Sequence, residues 1–286
     1  MSGFGSTEPP ARPRLDGAGV DWLSVCRRAA ADVYAVLVEL PTRAEREPVV
    51  GEGRGGDETT AIDRAAEDAI LSRLRGLDVS IVSEEAGRLG SGSTVVVVDP
   101  IDGSLNAKRG IPFFSPSIAV AAGETMDDVH FGFVHDFGSG EEWVARRGGG
   151  AFLGGERLGA VRPKERIEIL SFEATLTSLV ARDAPRVAGL AHRLRIMGSL
   201  ALSLCHLAAG RVDAVCSLKA ARSVDIAAAQ LVCREAGLEV TLFDVEEPFG
   251  AAPLDLEGRS RVAAAGSSDV CSRIARALSA PVGNGR

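Results

Sequence analysis

Apolar positions along the 286 residues change period several times, and each change marks an element. Trp22, Cys26, Ala29, Ala30, Val33 and Leu37 recur at helical spacing and predict a helix over residues 20–40, ended by Pro41. Residues 43–58 are charged and glycine-rich and predict a loop. Thr60 then predicts a helix cap, with Asp63 in the first turn and Ile62, Ala66, Ala69, Ile70 and Leu74 facing inward. Residues 79–82 read as a short strand ending in Ser83-Glu84-Glu85. The four valines 95–98 suit a strand buried on both faces. Residues 113–122, 129–135 and 141–146 predict successive antiparallel strands, with Gly123, Gly138 and Gly140 in their turns. Gly148-Gly149-Gly150 predicts a tight turn before Ala151-Phe152-Leu153.

The second half alternates differently. Residues 199–209 predict a helix closed by Gly210, and 212–216 a strand. Ser223-Val224-Asp225 opens a helix closed by Gly237. Strands at 238–243 and 262–265 and a last helix at 267–278 follow. Antiparallel runs beside this alternation predict an α+β chain of layered sheets and helices.

Composition excludes several classes. Apolar residues at 45% and charged residues at 25% are ordinary for a globular protein. A net charge of −7 argues against nucleic acid as the main partner, since the phosphate backbone needs a basic face. Apolar runs fall short of the roughly 18–20 residues of a membrane span. Residues 1–14 are rich in Gly, Ser and Pro without an apolar stretch, so a disordered tail is expected there rather than a secretory signal. Cys26, Cys205, Cys216, Cys233 and Cys271 form no C-x-x-C pair and sit in apolar patterns. Buried reduced thiols and a cytoplasmic location are expected.

The candidate chemistry begins where the valine run ends, at Asp99-Pro100-Ile101-Asp102-Gly103-Ser104. A strand delivers two carboxylates to a sheet edge, across a turn that Pro100 stiffens and Gly103 permits. Packed carboxylates repel unless a cation sits between them, and Mg²⁺ suits all-oxygen ligands. The Gly103 and Ser104 N–H groups start the next segment and favour a bound anion such as phosphate. Glu84, Asp63 and Asp225 also stand at element ends. Taken singly, Asp63 and Asp225 are better explained as acids complementing a helix dipole, and Glu84 as a surface loop acid.

Three blocks in order carry a resemblance. Residues 57–63 (Asp-Glu-Thr-Thr-Ala-Ile-Asp) with Glu67 come first. Ser83-Glu84-Glu85 with the Asp99–Ser104 block is second, and Val224-Asp225-Ile226-Ala227-Ala228 through Glu235-Ala236-Gly237 is third. Together they resemble the inositol monophosphatase superfamily of Mg²⁺-dependent, lithium-sensitive phosphomonoesterases, over about residues 20–280. Residues 106–120 and 195–225 are most similar to its archaeal-type members, which hydrolyse inositol-1-phosphate and fructose-1,6-bisphosphate.

The resemblance implies the layered α-β-α-β-α sugar-phosphatase fold. It implies a tail at 1–18, a subdomain at 19–155 carrying most metal ligands, and one at 156–286 supplying Asp225 and substrate contacts. Glu84, Asp99 and the Ile101 carbonyl would hold one Mg²⁺, and Asp99, Asp102 and Asp225 a second about 4 Å away. A weaker third ion would be shared by Glu84 through water. Asp63 and Ser104 would orient and deprotonate the attacking water. Asp102, Gly103, Ser104, Arg195, Leu200 and Lys219 would contact a small phosphorylated metabolite, although Arg195 and Lys219 read equally as solvated surface charge. Relatives are commonly homodimers. An adenine-containing substrate, 3′-phosphoadenosine 5′-phosphate, and a metal-binding relative without turnover are the alternatives. Aromatic content of 5% offers an adenine few platforms, and a pure binder needs no Asp63–Ser104 pair.

Departures from the superfamily pattern touch no ligand. Val224 stands where many members have Trp, Leu238 replaces a second Gly, and Ser104 replaces Thr. Gly51-Glu52-Gly53-Arg54-Gly55-Gly56 satisfies G-x-G-x-x-G, but Pro48 precedes it and acids follow, so a mobile loop over the site is expected instead of a dinucleotide site. His130, His135, His192 and His206 lack metal-ligand spacing, and Ser199 lacks the G-x-S-x-G elbow.

Overall fold

The computed structural model describes residues 19–280 other than 55, 57, 162, 163, 165, 174 and 175. The expected tail at 1–18 and Asp57 of the first acidic block therefore lie outside the described residues. Asp21 caps α1 (Trp22–Glu39), its carboxylate accepting the Ser24 N–H. The loop expected at 43–58 is instead a helical turn, α2 (Arg43–Arg46), and a hairpin of β1 (Val49–Glu52) with β2 (Glu58–Thr60). Thr42 and Glu45 form a capping box there, a local signal hidden in the charged composition. Thr60 caps α3 (Ala61–Leu74) as its spacing predicts, with Asp63 Oδ2 accepting both its N–H and its hydroxyl.

Next come β3 (Val79–Ser83), β4 (Gly87–Gly90), β5 (Thr94–Asp102), α4 (Ser104–Arg109) and β6 (Ser115–Ala121). With β7 (Val129–His135), β8 (Glu142–Arg146), β9 (Gly150–Leu153) and β10 (Glu156–Arg157), the strands form an eight-stranded sheet ordered β10-β9-β8-β7-β6-β5-β3-β4. The second half supplies β11 (Ile167–Glu173), α5 (Thr177–Asp183), β12 (Ala191–Arg195), α6 (Leu200–Ala208) and β13 (Ala214–Ser217). It ends with α7 (Ser223–Glu235), β14 (Glu239–Leu242), β15 (Val262–Ala265) and α8 (Ser268–Ser279). Its five-stranded sheet runs β12-β11-β13-β15-β14.

The valine run shows how the layers assemble. Side chains alternate faces along a strand. Val96 and Val98 therefore meet Trp22, Val33, Ile62 and Ile70 of α1 and α3, while Val95 and Val97 meet Leu204, Ala228 and Val232 of α6 and α7. The same helices α6 and α7 cover Val215, Val240 and Ala264 of the smaller sheet. Its far face carries Leu170, Phe172 and Cys216 against Val270, Cys271 and Ile274 of α8. The order is helices, sheet, helices, sheet, helices: the layered α-β-α-β-α fold. Val224 and Leu238, the two unusual residues of the third block, are both buried in the middle helix layer and its surroundings.

Candidate active site

The site forms where β5 breaks register. Asp99 pairs with Ser117 on β6, yet Asp102 pairs with Ser115, so three steps on β5 match two on β6. Residues three apart on a regular strand point to opposite faces; one extra residue brings them to the same side. The expected turn at Pro100 is thus a bulge inside a continuing strand. Asp99 Oδ1 accepts the Ile101 N–H at 3.0 Å, which fixes the kink. Gly103 follows at φ 88° and caps α4. A Cβ there would come within 3.0 Å of the Phe113 carbonyl oxygen and 3.1 Å of that of Gly198, so glycine is required by conformation and by space.

Other elements converge on this edge. A cavity of about 220 Å³ is lined by Glu84, Asp99, Ile101, Asp102, Gly103, Ser104, Leu200, Lys219 and Asp225, nine of the residues singled out in the sequence. Asp63 borders an adjoining cavity of about 260 Å³, to which Glu84, Ser104 and Lys219 also contribute. Its Oδ2 takes the Thr60 donors and lies 3.0 Å from Lys108 Nζ. Arg195 is the exception. It is exposed at the end of β12, its guanidinium donates to the neighbouring Leu194 carbonyl, and it lines neither cavity.

Electrostatics mark the acids as mutually strained. Burial, reinforced by the charges of Asp225 and Glu85, pushes Glu84 up to about 7, while Arg222 pulls the other way. Burial pushes Asp102 up to about 7 as well, against hydrogen bonds from the Ser199 hydroxyl and the Ala201 N–H. Asp99 is raised by burial and by Glu84, Asp102 and Asp225 together. Such a nest of hard oxygen donors fits a divalent cation of the Mg²⁺ type.

Arg222 and Glu173 escaped the sequence reading, and Glu67 stands in the first block without a role. Arg222 donates through Nη2 to Glu84 and, at 3.2 Å, to Asp225, while its backbone N–H caps the same Asp225 at 2.7 Å. The available signal was a cation three residues ahead of an acid at a helix start. Glu173, at the end of β11, accepts the Gly198 N–H at 2.8 Å and the Ser203 hydroxyl at 2.7 Å, fixing the segment that meets Asp102. Glu67, fully buried, accepts the Ser83 hydroxyl and the N–H groups of Glu85 and Ala86, and so holds the turn bearing Glu84. Arg54 of the glycine-rich stretch also meets this region, its N–H donating to the Glu85 carbonyl at 3.1 Å.

One donor trio lies elsewhere. Among the described residues, Asp136, Glu141 and His206 bring one ligand atom each within 4.8 Å of one another. Arg211 grips Glu141 with two guanidinium nitrogens and Asp136 accepts from Gly138 and Ser139, so both acids have partners within the protein, while the buried Nε2 of His206 has no hydrogen-bond partner. Glu84, Asp99, Asp102 and Asp225 line their own cavity, where Arg222 is paired with both Glu84 and Asp225.

Residues 22–280 match the inositol monophosphatase family. The chain belongs to that family. It is 36% identical over 248 residues to a fructose-1,6-bisphosphatase/inositol-1-monophosphatase of Archaeoglobus fulgidus, covering 86% of this chain and 93% of that one. It is 30% identical to inositol monophosphatase 2 of Rattus norvegicus, covering 86% and 90%. The fold is also that of a crystallised inositol monophosphatase-fructose 1,6 bisphosphatase, at TM-score 0.77 and 28% identity over 90% of this chain and 100% of that one. The extragenic suppressor protein suhB of Bartonella henselae superposes at TM-score 0.76 and 25% identity, covering 92% and 100%. Family membership makes this chain a phosphoric monoester hydrolase acting on small phosphorylated substrates, within a metal-dependent family. Among the described residues, no helix is long and apolar enough to cross a membrane.

Proposed function

We propose that the chain is a Mg²⁺-dependent phosphomonoesterase that hydrolyses inositol-1-phosphate, the 1-phosphate of fructose-1,6-bisphosphate, or both. The observation that carries this reading is the single cavity in which Glu84, Asp99, Asp102 and Asp225 meet the Gly103–Ser104 turn and Lys219. Glu84, Asp99 and the Ile101 carbonyl would hold one ion, and Asp99, Asp102 and Asp225 a second. Bound there, the ions supply Lewis-acid charge that steadies the phosphoryl and leaving-group oxygens.

The chain's own groups do the remaining work. Asp63 Oδ2 is occupied by Thr60 and Lys108, so Oδ1 is the oxygen that takes a proton from the attacking water, with the Ser104 hydroxyl orienting it. Gly103 and Ser104 N–H groups receive phosphate oxygens. No aromatic ring lines the cavity, which disfavours a stacked adenine and supports a sugar or polyol. Lys219 at the wall is the cation for a second phosphate. Retention of Asp63 in a hydrogen-bonded setting supports turnover over mere ion binding. Five free cysteines, all buried, support a reducing compartment, the cytoplasm.

The test is phosphate release from inositol-1-phosphate, fructose-1,6-bisphosphate and 3′-phosphoadenosine 5′-phosphate, with Mg²⁺ and with chelator. Release from the first two with Mg²⁺ alone is expected. Failure on the whole panel rejects the reading.

A further inference from the structure

The Glu84 and Asp225 oxygens that a divalent cation would use are held by a side chain. Arg222 is 7% exposed and donates through Nη2 to Glu84 Oε1 and to Asp225 Oδ1. Those two acids belong to different ion positions in the reading above, on which this inference rests. One guanidinium therefore bridges both. Burial opposes a charge on Arg222, yet Asp225, Glu84 and Asp99 outweigh it and keep the group protonated. A buried cation among three carboxylates offsets their repulsion, and its removal would leave them uncompensated.

We propose that Arg222 is a tethered counter-ion that competes with the divalent cation, so that ion binding requires the guanidinium to leave Glu84 and Asp225. Two further observations carry this. The acids line one cavity, and Arg222 is paired with two of them at once, Glu84 and Asp225. Arg222 also forms part of the wall of a second cavity of about 100 Å³, lined by Met126, Ile226 and Leu242 and open to the same side chain. The residue thus lines both that cavity and the acids' own. Its backbone N–H stays on Asp225 Oδ2 at 2.7 Å, so the acid remains positioned while its other oxygen is released.

The consequence is a pair of effects of opposite sign. Without its competitor the site binds ions more tightly, and without its counter-charge the chelator-stripped protein is less stable. Calorimetric titration of stripped protein with Mn²⁺ and Mg²⁺ is expected to give Arg222→Gln an affinity at least tenfold above that of the natural chain, with Arg222→Lys between them. The stripped Arg222→Gln protein is expected to melt several degrees lower. Should that variant not fold, the arginine Nε–H resonance of Arg222 in the natural chain gives a second measurement: it must shift or broaden as Mg²⁺ saturates the site. Equal or weaker affinity in Arg222→Gln, or a resonance unmoved at saturation, overturns the proposal. Asp99→Asn separates the two readings. If it abolishes binding while Arg222→Gln binds no tighter, the competitor role alone fails. If the natural chain takes up no ion, or Asp99→Asn binds as well as it does, the metal reading fails and this inference with it.

Discussion

The Glu67 carboxylate accepts the Ser83 hydroxyl within the core, tying α3 to the end of β3. The same oxygen takes the Ala86 N–H at 2.9 Å and the Glu85 N–H at 3.2 Å. Glu84 lies inside the turn so fixed. Its placement therefore depends on a residue seventeen positions earlier that does not line the cavity. Glu67→Ala would orphan three donors, two of them buried, and is expected to destabilise the fold by about 2–4 kcal/mol. Glu67→Gln keeps an acceptor oxygen and should cost much less. Urea unfolding of the two variants is the measurement, and equal losses would show that the carboxylate's charge, not its acceptor, matters.

Asp99 is the acid shared by both proposed ion positions, and its charge is opposed by burial and by Glu84, Asp102 and Asp225. Asp99→Asn removes that charge and retains an oxygen for the Ile101 N–H. Phosphatase turnover is expected to fall at least a thousandfold. The chelator-stripped variant should nonetheless melt no lower than the natural chain, since a buried, repelled carboxylate has been neutralised. Turnover near normal would remove Asp99 from the ion cage.

How much of this was legible in the chain depended on period and on distance. The valine run at 95–98 determined its own strand, both of its faces and, with the acids after it, the site. Helix starts at Thr60, Ser199 and Ser267 were readable because capping is local. The bulge at Pro100 was not, because register belongs to the pairing with β6 rather than to β5. Strands β10 and β12 and the β1–β2 hairpin lay in stretches too short or too polar to show alternation, whereas β11 carries Ile167, Ile169, Leu170 and Phe172 and had the apolar signal of a strand. Arg222, Glu173 and Glu67 act through contacts that span many residues, which no local spacing encodes. Arg195 takes the other of its two sequence readings, solvated surface charge, in this structure. Matching its position to relatives placed it near substrate, but β12 ends with the side chain pointing to solvent.

Glu84 also gives a pH signature. Its folded value of about 7 lies above the roughly 4.3 of an unfolded glutamate. Between those values the folded chain holds a proton that the unfolded chain has released, so this group costs stability as pH rises from about 4.3 to 7. His135 and His206, lowered by burial, push in the opposite direction near pH 6. Asp99 and Asp102, raised mainly by burial, push the same way as Glu84, and the comparison with Glu84→Gln keeps both histidines and removes Glu84 together with its charge on Asp99. In chelator, the variant's stability relative to the natural chain is expected to increase steadily from pH 5 to pH 8 in urea titrations. A constant difference across that range would place Glu84 in an ordinary, unstrained setting.

Lys219 and Arg195 divide the substrate question between them. Lys219 borders both cavities, within the space where Asp102, Gly103 and Ser104 would meet a phosphate. A second phosphate on the substrate gains from that cation, whereas a monophosphate already engaged by the ions and the Gly103–Ser104 turn gains less. Lys219→Ala is therefore expected to raise KM for fructose-1,6-bisphosphate about tenfold and KM for inositol-1-phosphate no more than about threefold, roughly 1.4 against 0.6 kcal/mol. Arg195→Ala, outside both cavities, should move neither by more than about twofold. Steady-state kinetics on the two substrates decide the matter. Equal losses in Lys219→Ala would assign the lysine to the reacting phosphate, and a selective bisphosphate loss in Arg195→Ala would bring that arginine back to the site through movement of the 195–198 segment.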